Sequence, residues 1–294
     1  MKLQGIFPPI TTPFNHEGEI WKQKLQHNIE KWNRTGLAGY AVCGSTGESA
    51  LLSSEEKIQL WHWVAEYTAS EKLLMAGTGK ESVRETVSLT NCAASIGYKT
   101  ALVLTPHYYK SRLNNAPAQM LYFRAVADQS KIPVLIYNFP QNTGLDISVE
   151  AVAELSHHPN IIGIKDSSGN LEKVIQIVRE AKKGFQVLVG SAPIFASALA
   201  VGASGGILAF ANAAPHATIC IWEAHRTREF DSALDWQNRI GRASHLVTTK
   251  HGIPGLKHAM DLAGYYGGPP RLPLTVPTRE AKREIEEAFE DLRG

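Results

Sequence analysis

Eight short apolar runs rich in β-branched residues recur along the 294-residue chain, and no other feature constrains its fold as tightly. They cover residues 5–12, 38–44, 73–79, 100–106, 133–138, 161–166, 185–191 and 206–212. Most are near-continuous rather than alternating, as in strands covered on both faces. The segments between them carry helical spacing. Residues 54–68 set Ile58, Leu60, Trp61, Val64 and Ala65 on a helical repeat behind a Ser53–Glu56 capping box. Residues 82–96 offer Val83, Val87, Thr90 and Ala94, and residues 171–181 offer Val174, Ile175 and Val178. Strand, helix, strand at intervals of roughly 20–35 residues implies parallel βαβ units. Right-handed crossovers through eight strands close into a (β/α)8 TIM barrel, the expected α/β fold. An open doubly wound sheet is the competing architecture. Against it, no G-x-G-x-x-G follows any run, and Gly77-Thr78-Gly79-Lys80 lacks P-loop spacing and reads as a strand end with a turn.

About 80 residues remain after the eighth run. Residues 218–238 read as one helix and 253–262 as a second, with Gly264 as its stop. Residues 265–270 form a loop, and Thr278 caps a charged helix over 279–292. No linker composition intervenes. The expected division is therefore a barrel core over residues 1–214 and a C-terminal helical extension over 215–294, packed on the barrel.

Composition enters as exclusions. Thirty Lys and Arg stand against 28 Asp and Glu, a net charge of +2, too small for a polyanion partner, so no nucleic acid is expected. The first residues hold no apolar stretch of signal-peptide length, which points to the cytoplasm. Residues 184–222 carry no Asp, Glu, Lys or Arg. Glycines, serines, Asn212 and two prolines interrupt them, so no window of about 20 apolar residues forms and no membrane span is expected. Cys43, Cys92 and Cys220 are odd in number and far apart, and read as reduced thiols. The 11 histidines form no compact ligand set, and neither a metal nor another cofactor is expected.

Barrel enzymes place their chemistry at the C-terminal ends of the strands. Lys165 is the most informative residue there. It follows Ile161-Ile162-Gly163-Ile164 on an interior strand, and lysine is rarely buried without a partner or a task. It either reaches solvent or Asp166, or it points into the barrel mouth as a nucleophile. An amine attacks a carbonyl, forming a Schiff base, only when neutral, and a pocket of low polarity favours that form. Tyr137 ends the neighbouring strand, about 4.8 Å away, where a phenol can move protons at the same substrate. Gly44-Ser45-Thr46-Gly47-Glu48 supplies two hydroxyls and free backbone N–H groups suited to a carboxylate, while Ser45 and Glu48 also read as a capping box.

At these residues the chain resembles the dihydrodipicolinate synthase/N-acetylneuraminate lyase family. The resemblance rests on Gly44-Ser-Thr-Gly-Glu48, Thr105-Pro-His-Tyr-Tyr109, Tyr137-Asn-Phe-Pro140, Gly163-Ile-Lys-Asp166 and Gly206-Ile-Leu-Ala-Phe-Ala-Asn212, in family order across the whole barrel. It implies a Schiff-base enzyme acting on a small 2-oxo acid, usually pyruvate, without a metal, in a homotetramer built as a dimer of dimers. It implies Lys165 as the Schiff-base lysine and Tyr137 as the proton relay at the oxo-acid centre. Ser45 and Thr46 correspond to the pair that binds the carboxylate and joins the relay. Tyr108 corresponds to a tyrosine given across a subunit interface. Gly190 and Ile207 correspond to positions lining the pyruvate pocket, and Asn142 and Ser167 are taken as further substrate contacts.

Within the family, the synthase branch carries an arginine two residues before the glycine of Tyr-Asn-x-Pro-x-x-Thr-Gly, where this chain has Asn142. Residues 142–146, 158–163, 185–191 and 252–269 look like the 4-hydroxy-2-oxoglutarate aldolase branch, which typically has asparagine at the position of Thr46. The expected activity is a class I aldolase cleaving a 4-hydroxy-2-oxo acid to pyruvate and an aldehyde such as glyoxylate. The alternatives are condensation of pyruvate with aspartate semialdehyde, cleavage of another 2-oxo-3-deoxy acid, or a non-enzymatic 2-oxo acid sensor.

Overall fold

The computed structural model describes residues 1–290 and 292. Among them, eight parallel strands form one sheet: β1 (Gly5–Ile6), β2 (Gly39–Val42), β3 (Leu73–Gly77), β4 (Thr100–Leu104), β5 (Val134–Asn138), β6 (Ile161–Asp166), β7 (Gln186–Val189) and β8 (Gly205–Gly206). From β2 to β8 each strand pairs with its sequence neighbour, and β8 pairs with β1. The last seam closes through backbone bonds from Ala38 N to the Ile6 oxygen (2.9 Å) and from Ala41 N to the Pro8 oxygen (3.0 Å). The fold is the expected (β/α)8 barrel with C-terminal helices, not an open sheet.

The helices are α1 (Lys22–Asn33), α2 (Ser54–Tyr67), α3 (Val83–Ile96), α4 (Lys110–Leu113), α5 (Ala116–Gln129), α6 (Pro140–Thr143), α7 (Val149–Leu155), α8 (Leu171–Glu180), α9 (Phe195–Ala200), α10 (Pro215–Arg226), α11 (Phe230–His245), α12 (Gly252–Leu262) and α13 (Arg279–Glu290). The Ser53–Glu56 capping box starts α2 as its spacing predicts. The buried faces of two helices differ from expectation. In α3 the inward residues are Thr86, Leu89, Thr90 and Ala93. The Thr86 hydroxyl turns that face, because it accepts from Lys80 N (3.0 Å) and meets the Tyr122 hydroxyl (2.9 Å). In α8, Lys173 goes inside and Ile175 is exposed, because Lys173 serves the buried Asp166 and the exposed Asp146 at the barrel wall.

Two other segments depart from the sequence pattern. The eighth run pairs only at Gly205–Gly206, and Ala209–Asn212 coils into a 3-10 turn. Asn212 makes the turn: its amide donates to the Pro9 (3.0 Å) and Ala209 (2.9 Å) oxygens and accepts from Thr11 N (3.2 Å). Residues 218–238 are not one helix. Arg228 adopts φ 66°, Glu229 N returns to the Ala224 oxygen (2.8 Å) and Arg228 N to the His225 oxygen (3.1 Å). That is a Schellman ending, which stops α10 before α11 begins. At the last helix, Thr278 accepts from Ala281 N (3.2 Å) as expected, and of the expected span only residue 291 lies outside the described residues.

The core has two shells. Leu3, Ala41, Met75, Leu102, Leu135 and Leu188 fill the barrel interior with Tyr137 and Ile207. Alternate strand residues such as Val42, Val103, Ile136 and Val187 face outward into a larger apolar layer under the helices. All three cysteines are free thiols. Among the described residues no helix is long and apolar enough to cross a membrane.

Candidate active site

Strand register decides what enters the barrel mouth. Tyr137 stands opposite Leu104 on one side and Lys165 on the other, and Lys165 stands opposite Leu188. Parallel partners at one level share a face. Because Tyr137 and Leu188 are interior, Lys165 is interior too. It is 3% exposed, and its Nζ lies 3.9 Å from the centroid of the Tyr137 ring.

The same alternation sends Asn138 and Asp166 outward. The Asn138 amide donates to Asp166 (2.8 Å) and Asp146 (2.7 Å), Lys173 pairs with Asp146 and lies 3.8 Å from Asp166, and Ser168 N donates to Asp166 at 3.0 Å. Asp166 is thus engaged on the face away from Lys165, so the strand-end pairing of Lys165 with Asp166 does not occur. Sequence reasoning passed over this cluster. Its signal was a polar residue ending each of two adjacent apolar strands, at matched register.

Lys165 opens on a cavity of about 470 Å3. Ser45, Thr46, Tyr137, Asn142, Lys165, Ser167, Gly190 and Ile207 all line it, so of the residues singled out from sequence only Tyr108 lies elsewhere. Lys165 is the one cationic side chain among the described lining residues. The Ser45 hydroxyl meets the Tyr137 hydroxyl at 3.3 Å, so of the two adjacent hydroxyls it is Ser45 that reaches the phenol. Phe139 stacks on Tyr137 with centroids 5.8 Å apart. Glycine at 190 leaves room for the site side chains, since a Cβ there would overlap the Ser167 Oγ and stand 2.9 Å from Lys165 Cε, displacing both. The far wall is a feature the sequence did not suggest. A π-helical turn, Leu246–Lys250, presents Val247, Thr248 and Thr249 to the cavity, and α12 adds Gly252, Ile253 and Leu256. Such turns recur at functional sites but carry no simple sequence signature.

A second cavity of about 660 Å3 adjoins the first and shares Ser45, Tyr137 and Asn142 with it. Its walls include Cys43, Lys57, Lys80 and Glu81. Burial pushes the Lys57 amine below its ordinary value and the Cys43 thiol up to about 12. Tyr108 lines neither cavity; it is 77% exposed, with its ring against Tyr109. Glu81 holds that loop by accepting from His107 N (3.0 Å) and Tyr108 N (3.0 Å).

The turn that carries the two hydroxyls differs from expectation. Ser45–Gly47 is a 3-10 turn with no side-chain cap, and Glu48 does not reach back to Ser45 as a capping box would. Glu48 adopts φ 57° and is buried against Lys257 of α12 at 2.5 Å. A buried carboxylate needs a partner more than a helix end needs a cap, and the sequence gives no local sign of a partner 209 positions away.

These features coincide with close resemblance to known proteins. The dihydrodipicolinate synthetase family matches residues 2–292. The chain is 37% identical over 299 residues to a protein of Methanothrix thermoacetophila named 4-hydroxy-tetrahydrodipicolinate synthase, covering 99% of both chains. It is 36% identical over 294 residues to an Emericella nidulans protein named probable 4-hydroxy-2-oxoglutarate aldolase, mitochondrial, covering 98% of this chain and 94% of that one. Dihydrodipicolinate synthase from Bacillus anthracis superposes with a TM-score of 0.93 at 27% identity, over 99% of each chain. The chain therefore belongs to the dihydrodipicolinate synthetase family, whose members are pyruvate-dependent class I aldolases and lyases.

Proposed function

We propose that the chain cleaves a 4-hydroxy-2-oxo acid, 4-hydroxy-2-oxoglutarate foremost, to pyruvate and an aldehyde such as glyoxylate, through a Schiff base on Lys165. The observation that carries this reading is the buried Lys165 Nζ set against Tyr137, whose hydroxyl meets Ser45 at 3.3 Å, inside one cavity. Neutral Lys165 attacks the 2-oxo carbon. Protons move through Tyr137 and Ser45, water leaves, and an iminium forms. The C3–C4 bond then breaks, its electron pair passes to the iminium to give an enamine, and the C4 hydroxyl loses its proton to become the aldehyde. Protonation at C3 and hydrolysis release pyruvate and free Lys165. Thr46 and the turn N–H groups take the substrate carboxylate, Gly190 and Ile207 bound the pyruvate half, and Asn142 and Ser167 meet the remainder.

Tyr108, exposed in one subunit, completes the relay in its neighbour within a homotetramer. Residues 1–214 are the catalytic barrel and 215–294 the extension. Against an acceptor gripped by a guanidinium, the Lys165 cavity has no arginine among its described lining residues, and Asn142 is neutral. The second reading is condensation of pyruvate with aspartate semialdehyde, favoured by the synthase name of the Methanothrix thermoacetophila relative. A pyruvate-release assay across 4-hydroxy-2-oxoglutarate, sugar-derived 2-oxo-3-deoxy acids and N-acetylneuraminate, run beside semialdehyde condensation, separates the two. Borohydride with pyruvate should leave an adduct on Lys165, and its absence from the peptide mass spectrum rejects both.

A further inference from the structure

The turn that bears Ser45 and Thr46 is bracketed by two non-glycine residues in the left-handed region, Cys43 (φ 59°) and Glu48 (φ 57°). Such residues persist only where their surroundings hold them, and they cluster at functional sites. Glu48 is held from the C-terminal extension. Its fully buried carboxylate meets Lys257 Nζ at 2.5 Å and accepts from Arg271 N at 2.8 Å. Lys257 is anchored in turn by the Pro269 oxygen (3.0 Å) and lies over the Phe14 ring, 4.7 Å from its centroid. Arg271 donates to the Leu51 oxygen (2.8 Å), just beyond the turn, and pairs twice with Glu56 (2.7 and 2.8 Å) at the start of α2. On the other side, Thr12 donates to the Gly47 oxygen (2.7 Å), and a Cβ at Gly77 would overlap the Cys43 carbonyl.

A sealed ion pair is poor value as a stabiliser, since apolar residues of similar volume do as well or better. Its merit is a fixed geometry. Lys257 sits on α12 beside Leu256, which lines the Lys165 cavity, so one helix both walls the cavity and grips the turn. Catalytic geometry is sensitive enough that about 1 Å of misplacement can remove about 100-fold of rate.

We propose that Glu48 is a positioning residue: its buried pair with Lys257 sets the Ser45 and Thr46 hydroxyls for the 2-oxo acid carboxylate and the Tyr137 relay. The inference rests on the Schiff-base reading above. It assigns the extension a part in substrate recognition, although its own side chains Lys257 and Arg271 need never touch substrate.

The test is borohydride trapping of the full-length protein over a pyruvate series, with adduct on Lys165 counted per folded molecule. The wild type comes first: no adduct there defeats the Schiff-base reading itself, and this inference with it. The main variant is the double change Glu48→Gln with Lys257→Met, which removes the pair without leaving one charge buried. We expect its half-saturating pyruvate concentration to rise at least tenfold while the adduct still reaches completion. A purely structural pair would reduce the folded fraction and leave half-saturation where it was, and that result overturns the proposal. If the double variant does not fold, Glu48→Asp decides by the same reading. It keeps the charge and shortens the reach by one methylene, so wild-type half-saturation there rejects positioning.

Discussion

Four lysines are buried among the described residues, Lys57, Lys165, Lys173 and Lys257, and the molecule treats two of them in opposite ways. In the barrel mouth, Lys165 is 3% exposed and faces an aromatic ring and an open cavity. At the seam between barrel and extension, Lys257 is 1% exposed and sits on the Glu48 carboxylate, a backbone oxygen and the Phe14 ring. Burial holds the Lys257 amine below its ordinary value, and Glu48 offsets only part of that. One site leaves the amine's reach to a visitor, and the other satisfies it from within. Burial of a lysine alone therefore does not mark a catalytic group. What marks it is burial beside space, with a proton carrier in contact.

The contrast makes opposite predictions for the same substitution. Lys165→Met should lower turnover about 10^4-fold or more, because no other group can form the Schiff base. Its melting temperature should stay within about 3 °C of wild type, since the new side chain is apolar and strands no charge. Pyruvate release and a thermal scan measure the two, and a folded variant with substantial activity would end the distinction. Lys257→Met should show first in the melt, beside the weaker substrate capture expected when the seam pair is lost. Leaving Glu48 buried and unpaired should cost about 3–5 kcal/mol, a drop of about 10 °C in a chain of this size. A melt as high as wild type would show that the seam pair is dispensable.

Much of this was legible in the sequence, and the reason is local. Near-continuous apolar runs and βα spacing carry the barrel, because strand and helix periodicities are set by nearby residues. Lys165 and Tyr137 are readable because each stands one residue before the end of an apolar strand. What escaped depends on partners far along the chain. Glu48 reads as a cap until α12 supplies Lys257. Ile175 of α8 looks like core until Asp166 claims Lys173 and turns the face. The stop between α10 and α11 rests on an arginine in a conformation usually left to glycine. The π-helical wall has no periodicity of its own to read.

Tyr137→Phe sharpens the catalytic side of the comparison. Removing the hydroxyl leaves the ring beside Lys165 and breaks the contact with Ser45. General acid–base groups supply about 10^2–10^4-fold, so turnover should fall about 100- to 1,000-fold while the protein folds normally. The borohydride adduct should still form, but slowly, because the amine survives and only proton movement is impaired. Stopped-time trapping checks it, and an unchanged trapping rate would remove Tyr137 from the relay.

The smallest effect tests the outer edge of the seam. Glu56 and Arg271 pair at 2.7 Å with side chains 27% and 19% exposed, so solvent screens them where it cannot reach Glu48. Hydrogen bonding by Arg271, the leading cause, holds the Glu56 carboxyl below its ordinary value, with Ser53 N adding to it. A carboxyl lowered in the folded state contributes stability that is present above its unfolded value and lost as pH falls through the folded one. Ion pairs that solvent still reaches are worth about 1 kcal/mol or less. Glu56→Gln keeps the shape and removes the charge. It should melt about 2 °C below wild type at pH 7, and the gap should close as both proteins are acidified below the folded-state value. A gap that persists in acid would mean that the fit of the substituted amide, not the charge facing Arg271, sets the difference, since that amide can still accept from Ser53 N. Among the described residues the seam would then have a single ion pair of consequence, the sealed one between Glu48 and Lys257.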